Sequence, residues 1–367
     1  MKARSIWTAA TALLITLIAV EIMLRVAGLI PISSAMYRPD AEIGFRLQPG
    51  ETTDAEGFKN TRTDTEPAPA GISKPGTVLF VGDSFTFGTY PVDAVFPSIT
   101  VSDLAASGLA ERAINVGIPG AGPDTYVRVM RSYVPRLKPA AVVVTIYLGN
   151  DVEQGDPHRP TKLWLGRIGN YGHPLSLAPD ELMIVDVSGK LLRLVEQIWH
   201  KRYISEDVSE ASDEAGRQSP PFADDVLKQI YWRELQAARV TPRPNIARGY
   251  DGLTADLSAM SAIARENGAK FLVVLAPSQV EINTDLRQGI ATAFDEDPLD
   301  FEGTLPARRL SDALTARHIP FVDLAPALIA AGPASVYNRA DTHWNRRGNA
   351  IAAHAIAASL ETLLAKQ

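Results

Sequence analysis

Ser84 is a candidate nucleophile because of its position directly after a predicted strand. The strand-like run Val78–Val81 leads directly into Gly82-Asp83-Ser84. A serine between a strand and a helix lies beside free backbone N–H groups and the positive end of the helix dipole. Gly-Asp-Ser is also a good turn and helix cap, so the tripeptide alone leaves both interpretations open. A nucleophilic serine needs a base from elsewhere in the chain.

Asp341 and His343 could supply that base. Residues two apart in extended backbone project to the same side, so the carboxylate and the imidazole can meet. A carboxylate that accepts from Nδ1 fixes the imidazole tautomer and leaves Nε2 free to remove a proton from a serine. The alternative base is His158, which follows Asp156. His354 lies among apolar residues and is predicted to be a packing residue.

Two further loops could stabilise a negatively charged oxygen. The Gly-rich stretch Asn115–Gly122 contains Gly120, and its exposed amides could donate to an oxyanion. Asn150 follows an apolar run and would carry a side-chain amide to the same place. Each feature taken alone is equally compatible with a simple turn or a loop cap.

All of these residues are expected at one edge of a sheet. Short apolar, β-rich runs occur at 77–81, 113–116, 141–148, 270–276 and 319–324. Consecutive apolar positions indicate strands buried on both faces, as in a parallel sheet, and helical patterns alternate with them. The sequence therefore predicts an α/β three-layer sandwich with a central, mostly parallel five-stranded sheet and functional loops at the carboxyl ends of the strands.

Composition and spacing exclude several classes of protein. The chain has 367 residues, with 36 Lys and Arg against 42 Asp and Glu, a net charge of −6. No global positive field exists to attract nucleic acid. The lack of cysteine excludes disulfides, Cys-bound zinc, iron–sulfur clusters and a thiol nucleophile. No histidine spacing typical of a metal site occurs, so neither a metal nor a cofactor is expected.

The amino terminus has the features of an export signal. Lys2 and Arg4 precede the uncharged run Ser5–Val20. A helix over residues 6–30 would be about 37 Å long, enough to cross a hydrocarbon layer of ~30 Å. The positive-inside tendency then places the rest of the chain on the periplasmic or extracellular side. We therefore expect a transmembrane anchor over 1–30; the alternative is a signal peptide cleaved near Ser33-Ser34-Ala35.

The remaining chain is predicted to contain a stalk and lead-in over 31–76 and a catalytic domain over 77–367. An insertion at about 152–248 interrupts the alternation of strands and helices. Within it, Ser205–Asp225 is strongly acidic and is predicted to be a solvated loop.

The candidate residues follow the order of the four blocks of the SGNH (GDSL) hydrolase superfamily, and the chain resembles the membrane-anchored branch of that superfamily. The matching motifs are Gly82-Asp83-Ser84, Gly120, Asn150-Asp151 and Asp341-x-His343. The likeness covers roughly 77–151 and 250–365 and implies a flavodoxin-like sandwich. It implies Ser84 as nucleophile, His343 as general base and Asp341 as its orienting acid. It also implies an oxyanion hole from the amides of Ser84 and Gly120 and the Asn150 side chain.

Two features depart from the superfamily pattern. Leu148 stands where many members carry the first glycine of Gly-x-Asn-Asp, and the acid and base are spaced Asp-x-His rather than Asp-x-x-His. The shorter spacing is shared with alginate-type O-acetyltransferases. In that type the pair can precede the serine, whereas here the serine comes first.

The resemblance implies a membrane-anchored serine esterase that removes ester-linked acyl groups, with acetyl the expected group, through an acyl-enzyme. One alternative is an O-acyltransferase (O-acetyltransferase) of cell-envelope glycans with the same triad. The other is a catalytically inactive envelope protein that binds polysaccharide. The expected partners are an acylated glycan, a lipid or a small ester, and the membrane through the N-terminal helix.

Overall fold

The protein is described by a computed structural model over residues 2–27, 33–59, 76–164, 167–170 and 222–365. The strands in these ranges are β1 (Tyr37–Asp40), β2 (Gly44–Leu47), β3 (Thr77–Gly82), β4 (Arg112–Gly117), β5 (Ala141–Tyr147), β6 (Thr161–Trp164), β7 (Arg167–Asn170), β8 (Lys270–Ala276) and β9 (Phe321–Asp323). The helices are α1 (Lys2–Ala27), α2 (Ser84–Phe87), α3 (Phe96–Ala106), α4 (Pro123–Leu137), α5 (Asp151–Gln154), α6 (Asp224–Leu235), α7 (Pro244–Glu266), α8 (Gln279–Ile282), α9 (Thr284–Ala293), α10 (Leu305–Thr315), α11 (Ala325–Ala330) and α12 (Arg346–Leu364).

A parallel sheet of five strands forms the centre of the described chain. Its strand order is β4-β3-β5-β8-β9, and every neighbouring pair is parallel. Every residue of β3 and β5 is buried, as expected for strands that are covered on both faces. The predicted α/β fold with a parallel five-stranded sheet is therefore confirmed.

Helices cover both faces of the sheet, which makes three layers. On one face, Leu79 and Val142 pack in a core with residues of α4, α7 and α10. On the other face, Val78 and Phe80 pack with residues of α3, α11 and α12. Odd and even positions of β3 thus point into different cores, because successive side chains of a strand alternate between the two faces.

The parallel arrangement gathers the candidate residues at one end of the sheet. Ser84 follows β3, Gly120 follows β4 and Asn150 follows β5, and these three strands are neighbours. Because parallel strands have their carboxyl ends at the same edge, the three loops lie side by side. The loop before α12 carries Asp341 and His343.

The N-terminal region contains a helix and a small hairpin. The helix α1 has 26 residues. Within the described part of the chain, no helix has both the length and the apolar character needed to cross a membrane, so the predicted transmembrane helix is not supported. Strands β1 and β2 form an antiparallel hairpin, in the stretch for which the sequence predicts a stalk.

The region predicted as an insertion is described in part. It contains α5, the antiparallel pair β6–β7, α6 and the start of α7. Residues 205–221 of the acidic stretch Ser205–Asp225, which is predicted to be a solvated loop, lie outside the described residues, whereas Asp224 and Asp225 are the first residues of α6.

Candidate active site

Ser84 is the first residue of α2 and sits in a tight turn after β3. The side chain of Asp83 caps the helix, because its Oδ1 accepts a hydrogen bond of 2.9 Å from the N–H of Phe85. Gly82 is required just before it, since a Cβ at that position would lie 2.2 Å from Oγ1 of Thr86. The N–H of Ser84, at the start of the helix, has no acceptor within the helix and points out of its end. Both interpretations of the tripeptide therefore hold: it caps a helix, and it presents a serine.

Ser84, His343 and Asp341 form a continuous line of hydrogen bonds. Nε2 of His343 lies 2.8 Å from Oγ of Ser84, and Nδ1 of His343 lies 2.7 Å from Oδ1 of Asp341. An ionised carboxylate only accepts hydrogen bonds, so the proton is assigned to Nδ1, and Nε2 is left to accept from the serine hydroxyl. The structure thus brings together three residues from two distant parts of the sequence.

The backbone between Asp341 and His343 differs from the extended conformation expected from the sequence. Residues 341–343 form a bend, and Ala340 before them has a φ of 53°. Oδ1 of Asp341 also accepts a hydrogen bond of 3.3 Å from the backbone N–H of His343. The hydrogen bond from the His343 N–H to the Asp341 carboxylate forms an Asx turn, and this turn brings the two side chains together. The alternation of side chains along an extended strand is not the cause.

The imidazole lies against the ring of Phe85, which is itself packed by other aromatic residues. The ring of Phe85 lies 5.0 Å from that of His343, and Trp344 packs edge-on against Phe85 and Phe96. Burial lowers the pKa of His343, but the hydrogen bond and the charge of Asp341 raise it, and the net result is a pKa above the ordinary 6.5. The carboxylates of Asp83 and Glu234 add to this increase.

Gly120 lies in a turn that a side chain would strain. Its φ is +76°, a conformation that glycine adopts without cost. The N–H of the next residue, Ala121, donates to the carbonyl of Ile118, which closes the turn. In the described ranges, the N–H of Gly120 makes no hydrogen bond to another backbone group. A Cβ added to Gly120 would lie 3.6 Å from Cγ2 of Ile168 in β7.

The side chain of Asn150 is held by Asp83, the residue before Ser84. Its Nδ2 donates a hydrogen bond of 3.0 Å to Oδ2 of Asp83, and its second amide hydrogen has no acceptor among the described residues. Leu148, the departure from the superfamily pattern, is fully buried in the core, and its N–H donates to the carbonyl of Ala276. The backbone at this position therefore extends the pairing of β5 with β8, the leucine side chain adds to the core, and Asn150 is left at the sheet edge.

Asp83 and Asp151 are two fully buried carboxyl groups behind these donors. Asp151 accepts hydrogen bonds from the hydroxyl of Tyr126 and from the N–H of Tyr147, each 2.9 Å long. Burial and the neighbouring charge of Asp83 raise the pKa of Asp151 well above its ordinary value. Burial also raises the pKa of Asp83, although the hydrogen bonds from Asn150 and Phe85 oppose this effect.

Glu234 is a buried acid near the site that sequence reasoning misses. It belongs to α6, is 4% exposed, and its Oε1 accepts a hydrogen bond of 2.8 Å from the hydroxyl of Tyr147. Burial raises the pKa of Glu234 to about 8. The ring of Tyr147 stacks on Phe85, which in turn lies against His343. A single glutamate in an insertion helix gives no sequence signal that it faces inward.

The other histidines in the described ranges have different surroundings. Asp156 receives the guanidinium of Arg248 at 2.7 Å, and it accepts from the backbone N–H of His158. The structure thus shows no pairing of the His158 ring with Asp156. His354 pairs with Asp103 at 2.7 Å and is 65% exposed, so the prediction that it packs in the core is wrong. Among the described residues, no group of three or more His, Asp and Glu side chains could hold a metal ion.

Comparison with protein families supports the resemblance stated from the sequence. Residues 247–367, about a third of the chain, match the family model described as "SGNH hydrolase-like domain, acetyltransferase AlgX". This match includes the segment with Asp341 and His343 and excludes the segment with Ser84. No curated protein matches the chain. The chain is therefore similar both to SGNH hydrolases and to AlgX-type acetyltransferases, as the motifs indicate.

The solved structures that are similar to this chain include esterases and a lipase. A GDSL-like lipase from Bacteroides thetaiotaomicron is 14% identical, covers 80% of this chain and 91% of its own, and has a TM-score of 0.38. An acetylxylan esterase from Geobacillus stearothermophilus is 14% identical; the match covers 79% of this chain and 95% of the esterase, with a TM-score of 0.41. An α/β hydrolase from the metagenome of Lake Arreo, Spain, is 13% identical, with 80% and 98% covered and a TM-score of 0.41.

Proposed function

We propose that the protein is a serine esterase that cleaves ester-linked acyl groups through a covalent acyl-enzyme. The observation that carries this proposal is the line of hydrogen bonds from Ser84 through His343 to Asp341, at 2.8 Å and 2.7 Å. These distances are within the reach that a base needs to take a proton from a nucleophile. The burial of Asp341 supports the same role, because a buried carboxylate holds the imidazole in one tautomer and orientation.

The reaction begins when Oγ of Ser84 attacks the ester carbonyl carbon and Nε2 of His343 takes the hydroxyl proton. The imidazolium that forms is stabilised by Asp341 at Nδ1. The tetrahedral intermediate collapses as His343 returns the proton to the oxygen of the departing alcohol, and the acyl group stays on Ser84. A second acceptor, deprotonated by His343, attacks the acyl-enzyme and regenerates the serine.

Three donors are proposed to stabilise the oxyanion. They are the N–H of Ser84 at the start of α2, the N–H of Gly120 and the uncommitted N–H of the Asn150 side chain. Asp83 supports the third donor, because its carboxylate fixes the orientation of the Asn150 amide through the 3.0 Å hydrogen bond. Preorganised donors of this kind are worth more in a site shielded from water than in solution.

A second candidate function is transfer of the acyl group to a glycan hydroxyl. The match of residues 247–367 to an acetyltransferase family model favours this alternative. Transfer and hydrolysis use the same first step, and they differ only in whether a sugar hydroxyl or water attacks the acyl-enzyme. Cell-envelope glycans and lipids are the proposed substrates for either reaction.

Release of p-nitrophenol from p-nitrophenyl acetate tests the esterase proposal. The wild type should turn over, whereas Ser84→Ala should lose the activity. Ser258→Ala is a matched control, because Ser258 lies on α7 and its hydroxyl donates only to the carbonyl of Thr254. Equal turnover by Ser84→Ala and the wild type would overturn the proposal, as would lack of turnover by a folded wild type with this and longer acyl esters.

Adding oligosaccharide acceptors to the same assay distinguishes the two reactions. For a transferase, the acceptor should speed the release of p-nitrophenol, and acetylated sugar should appear by mass spectrometry. For a hydrolase, only acetate should form, and the rate should not depend on the acceptor.

We also propose that the N-terminal helix attaches the protein to a membrane, with the catalytic region on the periplasmic or extracellular side. This part of the proposal comes from Lys2 and Arg4 ahead of an uncharged segment, and from exposed apolar side chains such as Leu13, Ile15 and Ile18. A reporter enzyme that is active only outside the cytoplasm, fused after residue 40, tests it. Reporter activity is expected; an inactive reporter in expressed fusion protein would contradict the assignment.

A further inference from the structure

The segment Tyr37–Lys59 contacts two of the three loops that carry the proposed oxyanion donors, the loop of Gly120 and the turn of Ser84. It contains the hairpin β1–β2, and two of its side chains, Ile43 and Phe45, are fully buried in the core shared with α4 and β3. Arg128 of α4 donates from Nε to the carbonyl of Ile43 at 3.0 Å, which fixes the hairpin to the domain. A segment anchored in this way can hold its neighbours in position.

Tyr37 makes the contact to the Gly120 loop. Its hydroxyl donates a hydrogen bond of 2.9 Å to the carbonyl of Pro119. The carbonyl of Pro119 and the N–H of Gly120 belong to the same peptide group. Because a peptide group is planar, a hydrogen bond to the oxygen fixes the direction of the N–H on its other side. The Tyr37 ring is itself held edge-on against Phe45.

Lys59 makes the contact to the Ser84 turn. Its ammonium group donates to the carbonyl of Gly88 at 2.9 Å and to the carbonyl of Tyr90 at 2.5 Å, and it lies 4.5 Å from the centre of the Phe87 ring. Lys59 is only 2% exposed, and a buried ammonium group is costly unless such acceptors surround it. The N–H of Gly88 donates to the carbonyl of Ser84, so the residue held by Lys59 is the one that closes the serine turn.

The backbone of Lys59 also reaches the residue that joins the two loops. Its N–H donates to the carbonyl of Asn115 in β4. The side chain of Asn115 donates to the carbonyl of Thr86 at 2.7 Å and accepts from the N–H of Gly117 at 2.9 Å. Asn115 therefore links the turn after β3 to the loop after β4, and Lys59 lies against both.

We propose that the segment Tyr37–Lys59 is a positioning element of the active site, in which Tyr37 orients the N–H of Gly120 and Lys59 fixes the turn that carries Ser84. This inference rests on the proposed esterase function. Both residues act from outside the substrate-binding groups: Tyr37 acts through the peptide group that carries the N–H of Gly120, and Lys59 acts through the turn that carries Ser84. The segment that continues from the N-terminal helix is in this way part of the catalytic machinery.

Tyr37→Phe tests the inference with the smallest change, because it removes one hydroxyl and leaves the ring. The matched control is Tyr250→Phe, since the Tyr250 hydroxyl likewise donates to one backbone carbonyl, that of Ala237, at 2.8 Å. Endpoint labelling with a fluorophosphonate counts the active serines, and kcat on p-nitrophenyl acetate is expressed per labelled serine. A misdirected oxyanion donor weakens stabilisation of the transition state and not ground-state binding, so kcat should fall with KM unchanged.

We expect a fall in kcat of roughly 3- to 10-fold for Tyr37→Phe, the fold-change that corresponds to one hydrogen bond. Lys59→Met should reduce kcat by about 10-fold or more, and Tyr250→Phe should leave it unchanged. Equal kcat per labelled serine in Tyr37→Phe, Tyr250→Phe and the wild type would overturn the inference. Should Lys59→Met fail to fold, Tyr37→Phe still decides the question. Failure of the proposed function gives a different result, because Ser84→Ala then keeps its turnover in the same assay.

Discussion

Two histidine–aspartate pairs in this protein have the same hydrogen-bond length but very different surroundings. His343 and Asp341 are joined at 2.7 Å, with side chains 17% and 1% exposed. His354 and Asp103 are also joined at 2.7 Å, with side chains 65% and 33% exposed. Only the buried pair has a serine hydroxyl at the second ring nitrogen. The comparison shows that the distance between the two groups does not define a base; burial and the third partner do.

The largest difference between the pairs should appear when each imidazole is removed. His343→Ala should reduce kcat on p-nitrophenyl acetate by roughly 10⁴- to 10⁶-fold, as expected when a residue of a serine triad is lost. His354→Ala should keep the wild-type kcat, because it lies on the outside of α12. Comparable losses in the two variants, or none in either, would contradict the assignment of His343 as the base.

Removing the charge of each carboxylate should give the next largest difference. Asp341→Asn should lower kcat by about 10⁴-fold, because an amide at this position favours the wrong imidazole tautomer. Asp103→Asn leaves the site untouched and should have no effect on kcat. Circular dichroism checks that both variants fold. A loss of less than 10-fold in Asp341→Asn would mean that the carboxylate does not orient the base.

Asn150→Ala sharpens the comparison by leaving the buried pair intact. It removes one proposed oxyanion donor and should lower kcat by about 10²- to 10³-fold. The bond between His343 and Asp341 is unchanged, so the acid limb of the pH profile should move far less than it does in Asp341→Asn. An Asn150→Ala variant that is folded and as active as the wild type would remove Asn150 from the oxyanion hole.

The pH profile of kcat/KM distinguishes the pairs through the pKa of the buried imidazole. His343 acts as a base only when neutral, and Asp341 raises its pKa above 6.5, so activity should fall as the pH drops through a value above 6.5. Conversion of Asp341 to Asn removes the group that raises the pKa and should move the acid limb to lower pH. The Asp103→Asn profile should match that of the wild type. An acid limb below 6.5 in the wild type would contradict this account.

The smallest expected effect is on stability, at the exposed pair. Loss of an exposed hydrogen-bonded pair costs less than about 1 kcal/mol of unfolding free energy, and salt screens any part of it that comes from charge. Urea unfolding of His354→Ala at low and high salt measures this value. A loss of several kcal/mol that persists at high salt would show that the pair contributes as a buried interaction does.

The fold and the gathering of residues could be predicted from the sequence for a physical reason. Strands buried on both faces are apolar at consecutive positions, and four of the five runs in the central sheet coincide with strands to within one residue at either end. The last is shorter than its apolar run, at Phe321–Asp323. Parallel strands share a carboxyl edge, so Ser84, Gly120 and Asn150 had to be neighbours once the strand order was known.

What the sequence could not reveal depends on contacts between distant residues. His354 has apolar neighbours in the sequence, but successive helix residues are rotated by about 100°, and Ala353 and Ile356 face the core while His354 does not. The hydrogen bond from Asn150 to Asp83 joins residues 67 positions apart, and the one from Tyr147 to Glu234 joins residues 87 positions apart. No local sequence pattern predicts such contacts. A lysine is expected to be exposed to solvent, and only the structure shows that Lys59 is buried and donates to the carbonyls of Gly88 and Tyr90.

The central claim is that the hydroxyl of Ser84 is a nucleophile activated by His343. A fluorophosphonate forms a covalent bond with such a serine, and tandem mass spectrometry of the digested protein identifies the labelled residue. We predict one adduct, on Ser84, that is absent from Ser84→Ala and forms far more slowly in His343→Ala than in His354→Ala. A folded wild type that remains unlabelled, or an adduct on another residue, would contradict the account.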